Sequence, residues 1–254
     1  MSANGRRTPV ADLYWTNSEL NLTTIQSFSR GIEEHAARAA LERRVEYPGP
    51  DLRLRLPNDG LFRRMTARKS GRKFSDHPLD GGELGSLFAA FAGQRSGART
   101  FPSAGSTYAL EVYALLFNAP GDLRGSIVHY NPDNHSLSRV GAAPAWSDCA
   151  GRVNLELEGE PAALFLFVIV PERTTDKYGE RGLRFTLLEA GHAAQNLALR
   201  LVEENLVGCE AGGLFDRWFK TVLGLNETSA QIGLGYACGH PARSSKRLWR
   251  RSVG

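Results

Sequence analysis

The stretch AALFLFVIVP, residues 162–171, constrains the fold of this chain more than any other. It is apolar without interruption until Pro171, and far short of the ~20 residues that cross a bilayer. Its β-branched and aromatic side chains favour a strand. Successive side chains of a strand point to opposite faces, so a strand apolar at every position needs cover on both sides. The run therefore predicts a central strand with a packed layer above and below.

The remaining elements arrange themselves around it. TYALEVYALLF (107–117) predicts a strand, GSIVHYNPDNHSLSRV (125–140) a hairpin turning at Asn-Pro-Asp-Asn, and QIGLGYACG (231–239) a last strand. Helices are expected over 19–45, with Ile32, Ala36, Ala39, Ala40 and Leu41 on one side, and over 180–206. A shorter one starts at Asp80 in DGGELGSLFAAFAG, buries Leu84, Leu87, Phe88 and Phe91, and stops at Gly93. Between the first two, YPGPDLRLRLPNDG (47–60) reads as a linker or turn. Strands and long helices do not alternate regularly, which predicts an α+β fold rather than a doubly wound sheet. The expected division is an N-terminal helical extension and linker, 1–55, and a main domain, 56–254.

Composition narrows the function. With 254 residues, 42% of them hydrophobic, the chain can bury a full core without staples. Cys149, Cys209 and Cys238 are odd in number and far apart, which predicts reduced thiols rather than a disulfide framework. The first residues, MSANGRRTPVADLYW, lack the apolar core of a secretory signal, so a cytoplasmic protein with no membrane contact is expected. The net charge of +4 is concentrated in RRMTARKSGRK (63–73) and RSSKRLWRR (243–251). Such runs are often no more than solvated faces. Neither matches a nucleic-acid motif or interleaves aromatics, so a small phosphate is favoured over a polynucleotide.

Several motifs fail on spacing. Gly233, Gly235 and Gly239 do not form G-x-G-x-x-G, no P-loop is present, and Ser70/Lys73 lack the partners of an S-x-x-K enzyme. Glu189 and His192 form one E-x-x-H where a di-iron site needs two, so no metal is expected. A histidine hydrogen-bonded in a helix interface is the expected role for His192.

Four small signals remain, in a fixed order. Arg68, Lys69, Ser70 and Arg72 place cations and a hydroxyl within reach of one phosphate. Pro102, Ser103, Ala104 and Gly105 are small residues entering a strand, which let a flat ligand approach the backbone. Gly212 and Gly213 offer backbone N–H groups to a ring heteroatom, and Arg243, Lys246 and Arg247 form a late basic cluster. In that order the four resemble the flavin-binding elements of the nitroreductase family. RTFPSAGSTYALEVY and KYGERGLRFTLLEAGHAAQNLAL are similar to the branch of SagB/ThcOx-type azoline dehydrogenases, which form thiazoles and oxazoles in peptides. In that branch Ala109 usually gives way to proline and Leu183 to an aromatic residue. The resemblance covers about residues 60–250. It implies a mostly antiparallel central sheet flanked by helices, an intertwined homodimer, and FMN at the subunit interface, held by Lys246 and Arg247 among others.

The resemblance also gives Lys177 and Tyr178 a role. Converting an azoline to an azole removes two electrons and two protons, so a base is required. Neither lysine nor tyrosine is a base at its reference pKa, about 10.4 and 10, unless its surroundings perturb it. A buried Lys-Tyr pair is suitable acid–base equipment, and the resemblance places it at the catalytic site. The pair is expected just before the long helix and outside both the phosphate- and ring-binding elements. That helix is apolar over most of its surface but carries Glu189, His192, Gln195 and Asn196, expected to be buried and paired where a partner subunit covers them. The resulting expectation is an FMN-dependent oxidase acting on a peptide, with oxygen as acceptor and cyclodehydratase or synthetase partners. Two alternatives stand beside it: an NAD(P)H-dependent nitro or quinone reductase, and a flavin-bearing structural subunit of a peptide-modifying complex.

Overall fold

The computed structural model describes residues 9–37, 52–94 and 96–242. Six strands form one sheet in the order β3-β2-β1-β4-β6-β5, and every neighbouring pair is antiparallel. The strands are β1 (Leu110–Leu116), β2 (Ser126–Asn131), β3 (Ser136–Ala142), β4 (Ala163–Ile169), β5 (Val207–Ala211) and β6 (Gln231–Gly239). β4 lies inside the sheet between β1 and β6, and all of its residues are buried. Its side chains alternate as the pleat requires. Phe165, Phe167 and Ile169 enter one core, while Leu164, Leu166 and Val168 enter the other.

The first core lies beneath α4 (Gly81–Phe88) and α7 (Gly182–Glu203). A capping box starts α4: Asp80 accepts from the Glu83 N–H at 2.8 Å, and Glu83 accepts from the Asp80 N–H at 2.9 Å. Leu84, Leu87, Phe88 and Phe91 are all buried, as their spacing predicts. α7 buries Leu197 against the sheet together with Ala190, Ala193, Ala194 and Ala198, small side chains that let the helix approach closely. The second core is closed by α5 (Trp146–Ala150) and α8 (Asp216–Val222) through Cys149 and Phe219, with Leu223 just past α8. The three cysteines are free and buried.

The N-terminal part differs from the expected single helix over 19–45. α1 (Pro9–Ser18) and α2 (Ile25–Ala37) are separated at 19–24, where the Asn21 side chain accepts from the Thr23 and Thr24 N–H groups and turns the chain. Residues 38–45 of that expectation lie outside the described residues. β5 was not expected. Its Val-Gly-Cys-Glu-Ala has no strong strand pattern, and pairing with β6 makes the strand. α3 (Gly60–Ala67) leads into the basic segment, and α6 (Glu172–Tyr178) connects β4 to α7. Among the described residues no helix is long and apolar enough to cross a membrane.

Candidate active site

Lys177 and Tyr178 stand just before the long helix, and they end a short helix of their own. α6 begins after Pro171 and stops at Gly179, and a short 3-10 turn leads into α7. The two helices meet closely at Gly182, where a Cβ would lie 2.9 Å from Thr174 and Thr175 backbone atoms. Only glycine allows that approach.

Four contacts hold α6 on the segment before and within β1. Arg173 Nη1 lies 2.5 Å from Glu111 Oε1 and donates to the Tyr108 carbonyl at 2.9 Å. The Thr174 and Thr107 hydroxyls are 2.8 Å apart. Lys177 Nζ donates to the Gly105 carbonyl at 3.2 Å. Arg173, Thr174 and Lys177 fall at i, i+1 and i+4, within an arc of about 100° on the helix, and the sequence reading missed the first two. Lys177 and Tyr178 are not part of the 102–105 loop, but both touch it at Gly105. That glycine has φ +58°, and a Cβ there would meet Tyr178 Oη and lie 2.5 Å from Lys177 Nζ. Burial of the pair is only partial in one chain, with Lys177 exposed and Tyr178 half-buried.

A buried carboxylate supports the same loop from behind. Glu189, 2% exposed, accepts from the Leu110 N–H at 3.0 Å and bonds with Ser103, whose Oγ accepts from the Tyr108 N–H at 2.9 Å. Burial pushes the Glu189 carboxyl above the ordinary range, opposed by those hydrogen bonds. Asn196 donates to the carbonyls of Ala90 and Thr100 at 3.3 and 3.0 Å. Half of the polar stripe on α7 is thus paired within one chain. His192 and Gln195 instead lie on the exposed face beside Leu188, which is 58% exposed. Burial also pushes the Glu111 carboxyl up, but the bond with His129 at 2.7 Å and the charge of Arg173 outweigh it and hold the group below the usual carboxylate range.

The basic segment forms a second group. Arg68 closes α3, and the chain runs on beside β5, with the Gly71 N–H donating to the Gly208 carbonyl at 2.8 Å. Among the described residues no carboxylate pairs with Arg68, Lys69 or Arg72. A cavity of about 640 Å³ adjoins this segment, lined by Ser70, Gly71, Arg72, Val207, Glu156 and Ala242. The Ala242 N–H donates to the Lys73 carbonyl at 3.0 Å, so the chain passes the basic segment before it reaches Arg243, Lys246 and Arg247, which lie outside the described residues. β5 leads from Gly208 to Gly212, roughly 13 Å at about 3.3 Å per residue. A Cβ at Gly212 would meet nothing within 4 Å, whereas Gly213 packs on Asn154, Phe28 and Leu20. Unpaired guanidiniums and a hydroxyl at one end, and an open backbone at the other, fit a flavin mononucleotide. Among the described residues no histidine, cysteine and carboxylate cluster is arranged to hold a metal.

The two groups are tied to different turns of α7. Glu189 anchors the 102–105 loop to α7, while Arg64, which precedes the basic segment, pairs with Glu203 near the far end of the helix. At 1.5 Å per residue those anchor points stand about 21 Å apart.

The nitroreductase family model matches residues 65–240. This chain belongs to the nitroreductase family. Its members are flavin-dependent oxidoreductases that typically bind FMN, and this protein is a flavin oxidoreductase of that family. It is 32% identical to the nitroreductase-named protein MJ1384 of Methanocaldococcus jannaschii over 166 residues, 64% of this chain and 83% of the relative. A nitroreductase-family structure from Ralstonia eutropha JMP134 superposes with a TM-score of 0.62 at 26% identity, covering 78% of this chain and 89% of that one. The E. coli microcin synthetase McbBCD complex, solved with truncated pro-MccB17 bound, contains a chain that matches with a TM-score of 0.66 at 21% identity. That match covers 89% of this chain and all of the other, and at this identity it speaks for the fold alone.

Proposed function

We propose that this nitroreductase-family protein is an FMN-dependent oxidase that converts thiazoline or oxazoline rings in a peptide to thiazole or oxazole, with oxygen as the electron acceptor. The observation that carries the reading is the convergence of Lys177 and Tyr178 on Gly105, in the loop read as the flavin-ring contact. When bound, FMN supplies the two-electron acceptor. The chain's own residues then have two tasks. An amine and a phenol beside the ring loop take the proton that the electrons leave behind. Arg173, Thr174 and Glu189 fix the helix and the loop that carry them.

In this reading the functional unit is a homodimer, with Arg68, Ser70, Arg72, Lys246 and Arg247 holding the phosphate of a flavin between subunits. Two features support it. The supports on α7, Glu203 for the start of the basic segment and Glu189 for the 102–110 stretch, lie about 21 Å apart along the helix, which is compatible with a ligand shared between opposite copies. The exposed face of α7, with Leu188, Gln195 and His192, is the kind of surface a second copy covers. In the same reading residues 1–55 are an extension to a flavin domain at 56–254, and cyclodehydratase or synthetase proteins are its partners.

The deciding experiment compares two activities of the purified protein. Oxygen consumption with a thiazoline-containing peptide is expected, together with a yellow FMN-like spectrum and a dimer by light scattering. Fast NADPH-driven nitro reduction with no thiazoline oxidation overturns the reading in favour of a reductase.

A further inference from the structure

The chain around Gly105 is held in a costly backbone conformation. Among the described residues four non-glycine residues have positive φ, and two of them, Ser106 (+56°) and Tyr108 (+43°), lie here beside Gly105 itself (+58°). The other two are His135 and Asn205, of types that enter the left-handed region most readily. Tyrosine has no such inclination, because in that region its Cβ crowds the carbonyl oxygen that follows.

Such a conformation persists only where the surroundings over-determine it, and at Tyr108 they do. Its N–H donates to Ser103 Oγ at 2.9 Å, and its carbonyl accepts from Arg173 Nη1 at 2.9 Å. Its phenol oxygen accepts from the Arg99 N–H at 3.0 Å, and the Arg99 guanidinium carbon stands 4.7 Å from the centre of its ring. The next residue is fixed as well, for the Ala109 carbonyl accepts from the Val170 N–H at 2.8 Å, just past β4. Tyr108 is therefore the pivot between the 102–105 loop and the sheet. Rotation about φ turns its N–H against its carbonyl and its ring. Relaxation to an ordinary value cannot keep the bonds to the loop, to α6 and to Arg99 together.

We propose that Tyr108 is a positioning residue for Lys177 and Tyr178: its left-handed backbone, clamped by Arg99, fixes α6 against the 102–105 loop and so sets the two tips on Gly105. The proposal rests on reading that pair as catalytic. The ring of Tyr108 takes no part in the chemistry; it holds the φ that joins Ser103 on one side to Arg173 on the other.

The test is a substitution series at Tyr108 in the FMN-loaded, full-length protein, read as thiazoline-peptide turnover beside flavin content and amide hydrogen exchange. Tyr108→Phe keeps the ring beneath Arg99 and should lose the least. Tyr108→Ala loses the clamp and also disfavours a positive φ, so kcat should fall by about tenfold or more with flavin content retained. Tyr108→Gly loses the same clamp but adopts a positive φ freely, and should turn over about fivefold or more faster than Tyr108→Ala. A ring that merely filled space would rank these two the other way, since glycine leaves the larger void. In a Lys177→Ala/Tyr178→Phe background the ranking should vanish, because the effect passes through that pair. A parental rate in Tyr108→Ala, a Tyr108→Gly no faster than Tyr108→Ala, or a ranking that survives in the background lacking the pair overturns the proposal. Where Tyr108→Ala does not fold, equal rates for Tyr108→Gly and Tyr108→Phe overturn it. A parent protein without thiazoline turnover defeats the azoline reading, and hydrogen exchange then decides. The α6 amides should exchange faster in Tyr108→Ala and regain protection in Tyr108→Gly; unchanged exchange overturns the proposal.

Discussion

Lys177 Nζ donates to the carbonyl of Gly105 at 3.2 Å, across 72 positions of sequence. The bond joins the last turn of α6 to a loop in which glycine is required twice, once for its positive φ and once for the space that the lysine and tyrosine tips occupy. Gly105→Ala is therefore expected to displace both tips. The left-handed backbone adds about 1–2 kcal/mol of destabilisation. Turnover should fall much further than a loss of that size explains, which steady-state kinetics set beside a melting curve will show.

Lys177→Ala and Tyr178→Phe should keep the fold and lose azoline oxidation by about 10²–10⁴, the usual contribution of a positioned acid or base. Because both residues touch the 102–105 loop, flavin content must be measured on the same samples. The expected pattern is nearly full flavin occupancy with lost turnover. A purely structural pair would show lower occupancy and activity falling in proportion to it.

Arg72→Ala tests the phosphate end. A charge-assisted contact contributes roughly 1.5–3 kcal/mol, so FMN affinity should weaken by about tenfold to a hundredfold. Fluorescence titration of the apoprotein with FMN measures this directly. Riboflavin, which lacks the phosphate, should bind parent and variant equally.

Acid should act in opposite directions on two carboxylates. Burial pushes Asp216, which holds the Leu20 N–H, from 3.8 up to about 6. The folded state therefore binds its proton more tightly than the unfolded chain. The ionised group costs stability above pH 6, and that cost disappears as the pH falls towards 4, at about 1.4 kcal/mol per pKa unit. Glu111 is held low by His129 and Arg173, so its contribution is present above the ordinary carboxylate range and lost as the pH falls through its folded value. Denaturation curves between pH 7 and 4 should show the parent gaining on Asp216→Asn, and curves continued below pH 4.5 should show it losing its advantage over Glu111→Gln.

The sequence by itself determined the layering of this protein. An apolar run such as 162–171 can be solvated on neither face, so β4 had to be central, and the patterns at 80–93, 107–117 and 125–140 then had few places to go. The residue types of the candidate site were legible for the same local reason, as small residues at 102–105 and clustered cations at 68–72. Tertiary structure decided what those residues meet. β5 exists because β6 offers it a ladder, and the helix expected over 19–45 breaks where Asn21 caps a turn. Glu189 became the support of the 102–105 loop, and Arg173 the clamp of α6, only when elements distant in the chain came together. Periodicity reports which face of an element avoids water, since that depends on near neighbours in the chain. It carries no record of which distant carbonyl or carboxylate completes a hydrogen bond, because that partner is set by the packing of whole elements.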